Sequence, residues 1–280
     1  MLMKKKSASQ SAPARRSLGE GGFINLRVLI GLLMAVLALS SSSSAFAQAQ
    51  CTLTTNWIGP ATGGSWFTAT NWDNGVPNSS TAALINNGGP AQISSSFQSA
   101  NACSLTLGDD ITDSGNVSLT SNARLGVTNS VVVANKGTGT LTIAGGSTVT
   151  SGSGSIAVQT GQVWTSNATV TVDAGSSWTI NGNLTVGAGN STMAFGVIPS
   201  SSTANVTVSG TASLRGGLSV TMTGNFQVGQ QFTLLHAAGG RRGTFSPVSF
   251  TYPTNQGWCP SISYDAKNVY LVLVTCSGGS

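Results

Sequence analysis

The chain has 280 residues, of which only 7% are charged, and its formal net charge is +5. Glycine supplies 36 of the positions, nearly twice its usual share of ~7%. This composition excludes coiled coils and long amphipathic helices, which need many Ala, Glu, Lys, Leu and Arg residues. It also excludes charge-driven disorder, because 40% of the residues are hydrophobic.

Residues 1–49 have the layout of a secretory signal peptide. Basic residues come first, the apolar run Val28 to Leu39 follows, and Ala45-Phe46-Ala47 forms a small-x-small cleavage pattern. The apolar run rises only ~18 Å, which is short of the ~30 Å hydrocarbon core of a bilayer. We therefore expect cleavage after Ala47, export, and no stable membrane insertion after signal cleavage. The alternative is a membrane anchor.

Removal of this leader leaves a neutral chain. The mature part keeps six basic residues (Arg124, Lys136, Arg215, Arg241, Arg242, Lys267) and six acidic ones (Asp73, Asp109, Asp110, Asp113, Asp173, Asp265). A surface that follows nucleic-acid phosphates needs clustered Lys and Arg, so we expect no nucleic-acid partner. The only adjacent basic pair, Arg241 and Arg242 in GGRRG, is predicted to be an exposed turn, with a grip on an anionic glycan as the alternative.

All four cysteines, Cys51, Cys103, Cys259 and Cys276, lie in the mature part. An even number in an exported chain indicates two disulfides. Three pairings are possible, and chain position favours Cys51–Cys103 with Cys259–Cys276. A zinc site is disfavoured because there is no CxxC motif and only one histidine. We expect neither a metal nor a cofactor.

Internal repeats organise the middle of the chain. Four units start with a β-branched or leucine alternation, at Val117, Leu141, Val170 and Val206, which are 24, 29 and 36 residues apart. A second apolar position follows eight residues after each start, at Leu125, Val149, Trp178 and Leu214. A third short strand completes each unit, at Val131–Val133, Ile156–Val158, Leu184–Val186 and Leu218–Val220. Each unit is therefore predicted to be three short strands separated by turns.

Such a unit cannot bury its apolar faces alone, but stacked units bury them along one axis. The predicted fold class is therefore all-β: a β-helix, or β-solenoid, with disulfide-tied caps. The alternative is a β-sandwich, because short strands with regular turns describe sandwiches too. We expect a tryptophan-rich N-terminal cap at 50–103, the repeat region at 104–223, and a β-rich C-terminal cap at 224–280.

The repeat text resembles a known class of exported bacterial proteins. Gly137 to Leu141 (GTGTL), Gly146 to Val149 (GSTV), Thr171 to Thr179 (TVDAGSSWT) and Gly182 to Val186 (GNLTV) look like the repeat of type V secretion passengers and PEP-CTERM-associated proteins. The resemblance implies a right-handed single-stranded β-helix, autotransporter-passenger-like, on the cell surface or secreted. It implies no catalytic residues.

Two segments are candidate binding regions. Trp57, Trp66 and Trp72 lie within 16 residues and are predicted to cover the first coil, with a carbohydrate platform of exposed rings as the alternative. Residues 191–203 read as an insertion between repeat units, and solenoid insertions often form the binding face. Met193 and Phe195 would form a contact patch there, or pack back on the core.

Catalysis has little support in the sequence. A lone His236 after a strand has no serine or cysteine partner set by spacing, and Asp109, Asp110 and Asp113 fit a strand-end loop better than a calcium site. We predict a structural or adhesive protein without enzymatic activity, at the cell surface, secreted or periplasmic. Its expected partner is a surface polysaccharide or another cell-surface protein. The alternatives are a glycan-binding module and, last, a polysaccharide lyase or hydrolase.

Overall fold

The computed structural model describes residues 50–158, 166–188, 190–201, 204–253 and 257–276; the leader expected at 1–49 lies outside them. These residues are all-β, with 57% of them in strands, and form a β-solenoid of about 7 turns. The helix found in these ranges is a single 3-10 turn, Ala69–Asn71. The predicted fold class is confirmed, and the sandwich alternative is wrong because the strands stack as parallel coils.

The strands in chain order are β1 Leu53–Asn56, β2 Gly64–Ser65, β3 Thr81–Ile85, β4 Asn87–Ile93, β5 Ser99–Ala102, β6 Ser104–Leu107, β7 Ser114–Leu119, β8 Arg124–Val133, β9 Thr138–Ile143, β10 Thr148–Ile156, β11 Asn167–Val172, β12 Ser177–Ile180, β13 Leu184–Val186, β14 Asn190–Val197, β15 Val206–Val208, β16 Ala212–Leu214, β17 Gly217–Met222, β18 Gln231–Ala237, β19 Arg241–Gly243, β20 Val248–Thr251, β21 Trp258–Tyr264 and β22 Asn268–Thr275.

The strands form three columns along the solenoid. The first column is an eight-stranded sheet, here called sheet 1, in the order β2-β4-β7-β9-β11-β14-β17-β20. The second and third columns share a fourteen-stranded sheet, because β8 and β10 each run through both columns. Pairs between successive coils are parallel, as connections of a full turn require.

Inward-facing apolar ladders form the core. In sheet 1, Val117 pairs in register with Leu141, and Leu141 with Val170; all three are fully buried. The ladder continues through Met193 and Leu218, which are also buried. Alternation of buried and outward residues along each strand follows from the two-residue period of a β-strand.

The first and second strands of the first three predicted repeat units are therefore in correct register. The third strand of the second unit is two residues out, because Gly154 and not Ile156 pairs with Val131 and Leu184. The fourth unit is wrong. Val206 pairs with Trp178 in the second column instead of continuing the Val170 ladder. Leu214 lies in the third column and Leu218 in the first. Each strand of this unit thus lies one column later than the sequence pattern predicts. The physical reason is that a Val-x-Val alternation buries equally well in any column, so the pattern does not say which column it occupies.

Small residues mark the corner where each coil enters sheet 1. Gly115, Gly139, Ala168 and Ser191 occupy equivalent buried positions on successive strands. A Cβ on Gly115 would collide with the carbonyl oxygen of Ile85, and one on Gly139 would collide with the backbone nitrogen of Ala134. The glycine-rich composition thus has a packing cause at these corners, where the backbones approach too closely for a side chain.

The stack extends into both regions that were expected to be caps. β1 pairs in parallel with β3, and β3 with β6, so residues 53–107 already form coils. At the other end, sheet 1 continues to β20. The boundaries expected at 103 and 223 coincide with no break in the sheets.

Among the described strands, antiparallel pairing occurs at the C-terminal end; at the N-terminal end there is one isolated antiparallel bridge, between Trp57 and Trp72. β18 pairs in parallel with β15 on one side and antiparallel with β22 on the other, and β22 pairs antiparallel with β21. This hairpin ends the second column. The favoured disulfides are confirmed: Cys51 bonds Cys103, with a sequence separation of 52, and Cys259 bonds Cys276, with a separation of 17.

Candidate binding surfaces

The three N-terminal tryptophans pack against one another at the start of the core. The rings of Trp57 and Trp72 lie edge to face with centroids 5.1 Å apart, and those of Trp66 and Trp72 with centroids 4.8 Å apart. The Trp72 indole nitrogen donates a hydrogen bond of 2.8 Å to the backbone oxygen of Trp66. None of the three is more than 3% exposed. A sugar therefore cannot stack on their faces as the platform hypothesis required.

Backbone contacts tie this cluster to the first coils. The backbone nitrogen of Trp66 donates to Gln92 of β4, and that of Trp57 donates to Leu84 of β3. The Asp73 carboxylate accepts hydrogen bonds of 2.7 Å from both the backbone nitrogen and the side-chain amide of Asn56. The side-chain bond from Asn56 is the largest influence that lowers the pKa of Asp73. Sequence reasoning missed this carboxylate, which the NWD text contains at residues 71–73.

A cleft of about 320 Å³ opens beside the cluster. Its apolar wall consists of Trp66, the half-buried ring of Phe67, Val76 and the buried Pro77. These wall residues come from loops that no repeat pattern covers, and Trp66 is the one among them that the sequence analysis singles out.

The rim of the cleft is polar and exposed, formed by Asn78, Ser79, Ser99 and Asn101. Asn78 accepts hydrogen bonds from the backbone nitrogen and the hydroxyl of Ser80. Asn101 donates a bond of 3.1 Å to the Ser99 carbonyl oxygen. These local bonds fix the rim without any charged side chain.

Met193 and Phe195 do not form a contact patch. Both lie in β14 and face the core, with 0% and 1% of their surface exposed. Of the insertion expected at 191–203, residues 191–197 lie in β14, the sheet 1 strand between β11 and β17; residues 202–203 lie outside the described residues. The expectation failed because the 23-residue interval from Val170 to Met193 is itself a full coil.

The basic pair divides into one engaged and one exposed side chain. Arg241 donates two hydrogen bonds to the Asp265 carbonyl oxygen, of 3.1 and 2.9 Å, and one to the Gly243 carbonyl oxygen. Its guanidinium carbon lies 4.7 Å from the centroid of the Tyr264 ring. Arg242 is exposed in β19, beside Ser213. Arg241 thus joins the last coil to the hairpin, and only Arg242 faces solvent freely enough to meet a ligand.

The hairpin turn is built around the Asp265 carboxylate. It accepts hydrogen bonds from the backbone nitrogens of Lys267 and Asn268, from the Asn268 amide and from the Tyr270 hydroxyl. The Asn268 side chain is the main cause that lowers the pKa of Asp265, and the bond to Asp265 raises the pKa of Tyr270. Burial raises the pKa of Tyr264. These shifts belong to a structural turn.

The other polar candidates have local partners. Asp110 lies 3.9 Å from the Lys136 amine, Asp113 accepts from the Asp110 backbone nitrogen, and Asp109 accepts from the Asn135 amide. His236 Nδ1 is 2.7 Å from the Asn268 side-chain oxygen. Across the ranges that the structure describes, no group of three His, Cys, Asp or Glu side chains could hold a metal ion.

The outer side of sheet 1 carries three ranks of small polar side chains. Four successive strands, β7, β9, β11 and β14, each present three outward residues in register. We call these twelve the hydroxyl face: Ser114, Asn116, Ser118, Thr138, Thr140, Thr142, Asn167, Thr169, Thr171, Asn190, Thr192 and Ala194. Eleven of them are Ser, Thr or Asn, and they repeat every ~4.8 Å between coils and ~6.6 Å along a strand.

Comparisons with known proteins give no family. No protein-family model matches the chain, and a search of curated proteins finds no match. Among the described residues, none forms a helix with the length and apolarity that a bilayer crossing requires. Both disulfides indicate a non-reducing compartment, because cytosolic thiols are kept reduced.

Proposed function

We propose that this protein is an exported, non-catalytic β-solenoid with a structural or adhesive role, which contacts a neutral polysaccharide surface through the hydroxyl face. The observation that carries the proposal is the regularity and neutrality of that face. Eleven hydrogen-bonding side chains stand in register over four coils, and none of the twelve is charged.

Neutral hydroxyl and amide groups exchange hydrogen bonds with water at small net gain, so a single contact is weak. Repetition on a rigid sheet changes this, because later contacts form at high effective concentration once the first has formed. A polysaccharide surface offers hydroxyls in a similarly repeated array. The partner is therefore a neutral polymer, in preference to another protein or a charged glycan.

Export is supported by the leader-like residues 1–49 and by the two disulfides. We also propose the class named by the repeat text, a type V secretion passenger-like or PEP-CTERM-associated protein at the bacterial cell surface or secreted. Two measurements test this placement. Protease treatment of intact producing cells tests surface exposure, and mass spectrometry of the untreated protein identifies the N terminus of the mature chain. The expected results are digestion without lysis and a mature chain that starts near Gln48. Protection from protease in unlysed cells would contradict surface display.

Adhesion is tested with beads that carry the purified protein, washed over films of cellulose, dextran and the anionic derivative carboxymethyl cellulose. The face variant replaces Thr140, Thr142, Thr169 and Thr171 by Val, which keeps shape and β-propensity but removes the hydroxyls. The matched control makes the same change at four outward threonines of the second column, Thr148, Thr150, Thr179 and Thr207.

We expect at least one neutral film to retain wild-type and control beads, and to retain the face variant about tenfold less. Retention should be unchanged between about 0.05 and about 0.5 M salt, because screening weakens charge interactions and leaves neutral hydrogen bonds intact. Equal retention of the face variant, retention by the anionic film alone, or no retention by any film would contradict the proposal.

A further inference from the structure

We propose that the cleft beside Trp66 binds one neutral saccharide ring. This site lies outside the hydroxyl face and is independent of the adhesion proposed there. At about 320 Å³, the cleft is at the lower end of the volumes typical of small-molecule sites, which begin near ~300 Å³. It is therefore sized for a single ring or a chain end.

The chemistry of the walls selects a ligand with an apolar face and a hydroxyl edge. Phe67 offers the exposed part of its ring, beside Val76 and Pro77. Every residue that lines the cleft is uncharged, so an ionised ligand would lose its hydration without gaining an ion pair. A neutral saccharide has apolar C–H patches on its ring faces and hydroxyls around its edge, which matches these walls.

Hydrogen-bonding groups at the rim remain available to such hydroxyls. Asn78 uses its oxygen on Ser80, and Asn101 uses its nitrogen on Ser99. Within the described residues this leaves the Asn78 amide N–H groups and the Asn101 amide oxygen without a protein partner. One rim residue thus presents a donor and the other an acceptor, which is the pair that a vicinal diol uses.

Trp66 supplies a reporter of occupancy. It lines the cleft, is fully buried, and its indole N–H finds no acceptor among the described residues. Because this N–H group is shielded from solvent, a ligand in the cleft changes its surroundings through the wall without accepting a hydrogen bond from it. Trp57 and Trp258 also have unpaired indole N–H groups, but neither lines the cleft.

The rim is held in place before any ligand arrives. The Thr128 hydroxyl donates to the Ser79 carbonyl oxygen across 49 residues of sequence. Asn101 lies in β5, two residues before the disulfide-bonded Cys103. Binding to a preformed site avoids the entropy of ordering a loop, so a weak ligand such as a monosaccharide can be detected.

The test follows the indole N–H resonances of the ¹⁵N-labelled protein by NMR, with the Trp66 signal identified by its loss in Trp66→Phe. The probes are the methyl glycosides of glucose, galactose, mannose and N-acetylglucosamine, with methyl glucuronide as the charged analogue. A trisaccharide of each sugar that binds distinguishes a free sugar from the end of a polymer. An alanine-rich tripeptide tests the peptide alternative.

Three variants give the proposal its controls. Ser99→Phe fills the cleft, Ser261→Phe makes the same change on the exposed hairpin strand β21, and Asn101→Ala removes one rim acceptor. We expect at least one neutral glycoside to shift the Trp66 resonance with a Kd of roughly millimolar size. Binding should fall at least tenfold in Ser99→Phe, about fivefold in Asn101→Ala, and not at all in Ser261→Phe.

The proposal is overturned if no saccharide moves the Trp66 resonance, if the shift persists in Ser99→Phe, or if only the glucuronide or the peptide binds. Thermal unfolding of each variant separates a blocked cleft from a misfolded chain. Bead retention measures binding by the hydroxyl face, whereas the shift of the Trp66 resonance measures binding in the cleft. Either proposal can therefore fail while the other stands.

Discussion

The two ends of the solenoid close by the same three means but over different ranges of sequence. Each end has a disulfide, a buried tryptophan and a carboxylate that accepts several hydrogen bonds. At the N-terminal end these elements join separate coils, since Cys51 precedes β1 and Cys103 precedes β6. At the C-terminal end they lie within one hairpin, because Cys259 is in β21 and Cys276 follows β22.

This difference bears on stability and on folding order. The N-terminal contacts can form only after two coils have come together, so they carry a large loop-closure entropy. The C-terminal hairpin can pair locally before the coils are complete. We infer that the N-terminal end depends more on its disulfide, and that the C-terminal end depends more on its own strands. Three predictions test this comparison.

Of the three predictions, removal of a disulfide is expected to lower the free energy of unfolding the most. In the chain-entropy model, loops of 52 and 17 residues correspond to about 4 and about 3 kcal/mol of the free energy of unfolding. Cys51→Ala with Cys103→Ala should therefore cost about 1 kcal/mol more than Cys259→Ala with Cys276→Ala. Chemical denaturation of both double variants measures the difference.

Wild-type protein denatured under reducing conditions is the control, because it loses both disulfides without any change of sequence. Its loss of stability should approach the sum of the two double variants if the ends are independent. A C-terminal pair that costs more than the N-terminal pair would show that loop length does not govern these ends.

The second comparison removes an indole nitrogen at each end. Trp72 donates its N–H to the Trp66 carbonyl oxygen, whereas the indole N–H of Trp258 finds no acceptor in the described part of the chain. Trp72→Phe leaves a buried carbonyl without that donor, at a cost of roughly 1–3 kcal/mol. Trp258→Phe removes an unpaired donor, so its cost should be smaller despite a similar loss of volume.

Thermal or chemical unfolding of both variants measures this difference directly. Both tryptophans are nearly fully buried, at 3% and 2% exposure, and both pack on two aromatic rings, so the two variants lose a similar buried surface. Equal costs would mean that ring packing alone sets the contribution of each end.

Sequence reasoning predicted the middle of the molecule better than its ends. The apolar alternation at Val117, Leu141 and Val170 fixed three coils because their lengths vary little and their turns are rich in glycine. It failed at Val206 because alternation has the same period in all three columns, so only coil length distinguishes them. A coil that carries Met193 and Phe195 in place of Val or Leu looked like an insertion.

The candidate sites were harder to predict for a related reason. Clustered tryptophans favour a packed end and leave a binding platform as the alternative, and only burial decides between the two. The cleft is made by residues such as Asn78 in a loop and Asn101 in β5, which are 23 positions apart and meet only through the stacking of coils. The hydroxyl face was visible as Thr-x-Thr text, but its register across coils required the strand pairing.

Low pH is expected to change stability the least of the three. It should lower hydrogen-exchange protection at the two ends and leave the middle of the stack unchanged. Asp73 and Asp265 have pKa values lowered by hydrogen bonds, from Asn56 and Asn268 respectively as the main donors. A lowered pKa means that the carboxylate stabilises the folded state above the ordinary value of about 3.8, and that this contribution is lost as the pH falls through the folded-state pKa. Both groups are solvent-exposed, so the effect is local loosening.

Hydrogen exchange measured at pH 6 and at pH 2.5, with protection factors corrected for intrinsic rates, reads the ends separately. Protection should fall at low pH in β1 and should persist in β9. It should fall only in part in the β21–β22 turn, because the pKa of Asp265 is lowered so far that its carboxylate is still largely ionised at pH 2.5. Asp73→Asn should give β1 low protection at both pH values and leave the hairpin unchanged. Asp265→Asn should give the hairpin low protection at both pH values and leave β1 unchanged. The hairpin keeps its strand pairing without Asp265, whereas the Asp73 bonds link Asn56 to residues of the tryptophan cluster. The acid response of β1 should therefore be the larger of the two, and a larger response in the hairpin would reverse the order of dependence inferred for the two ends.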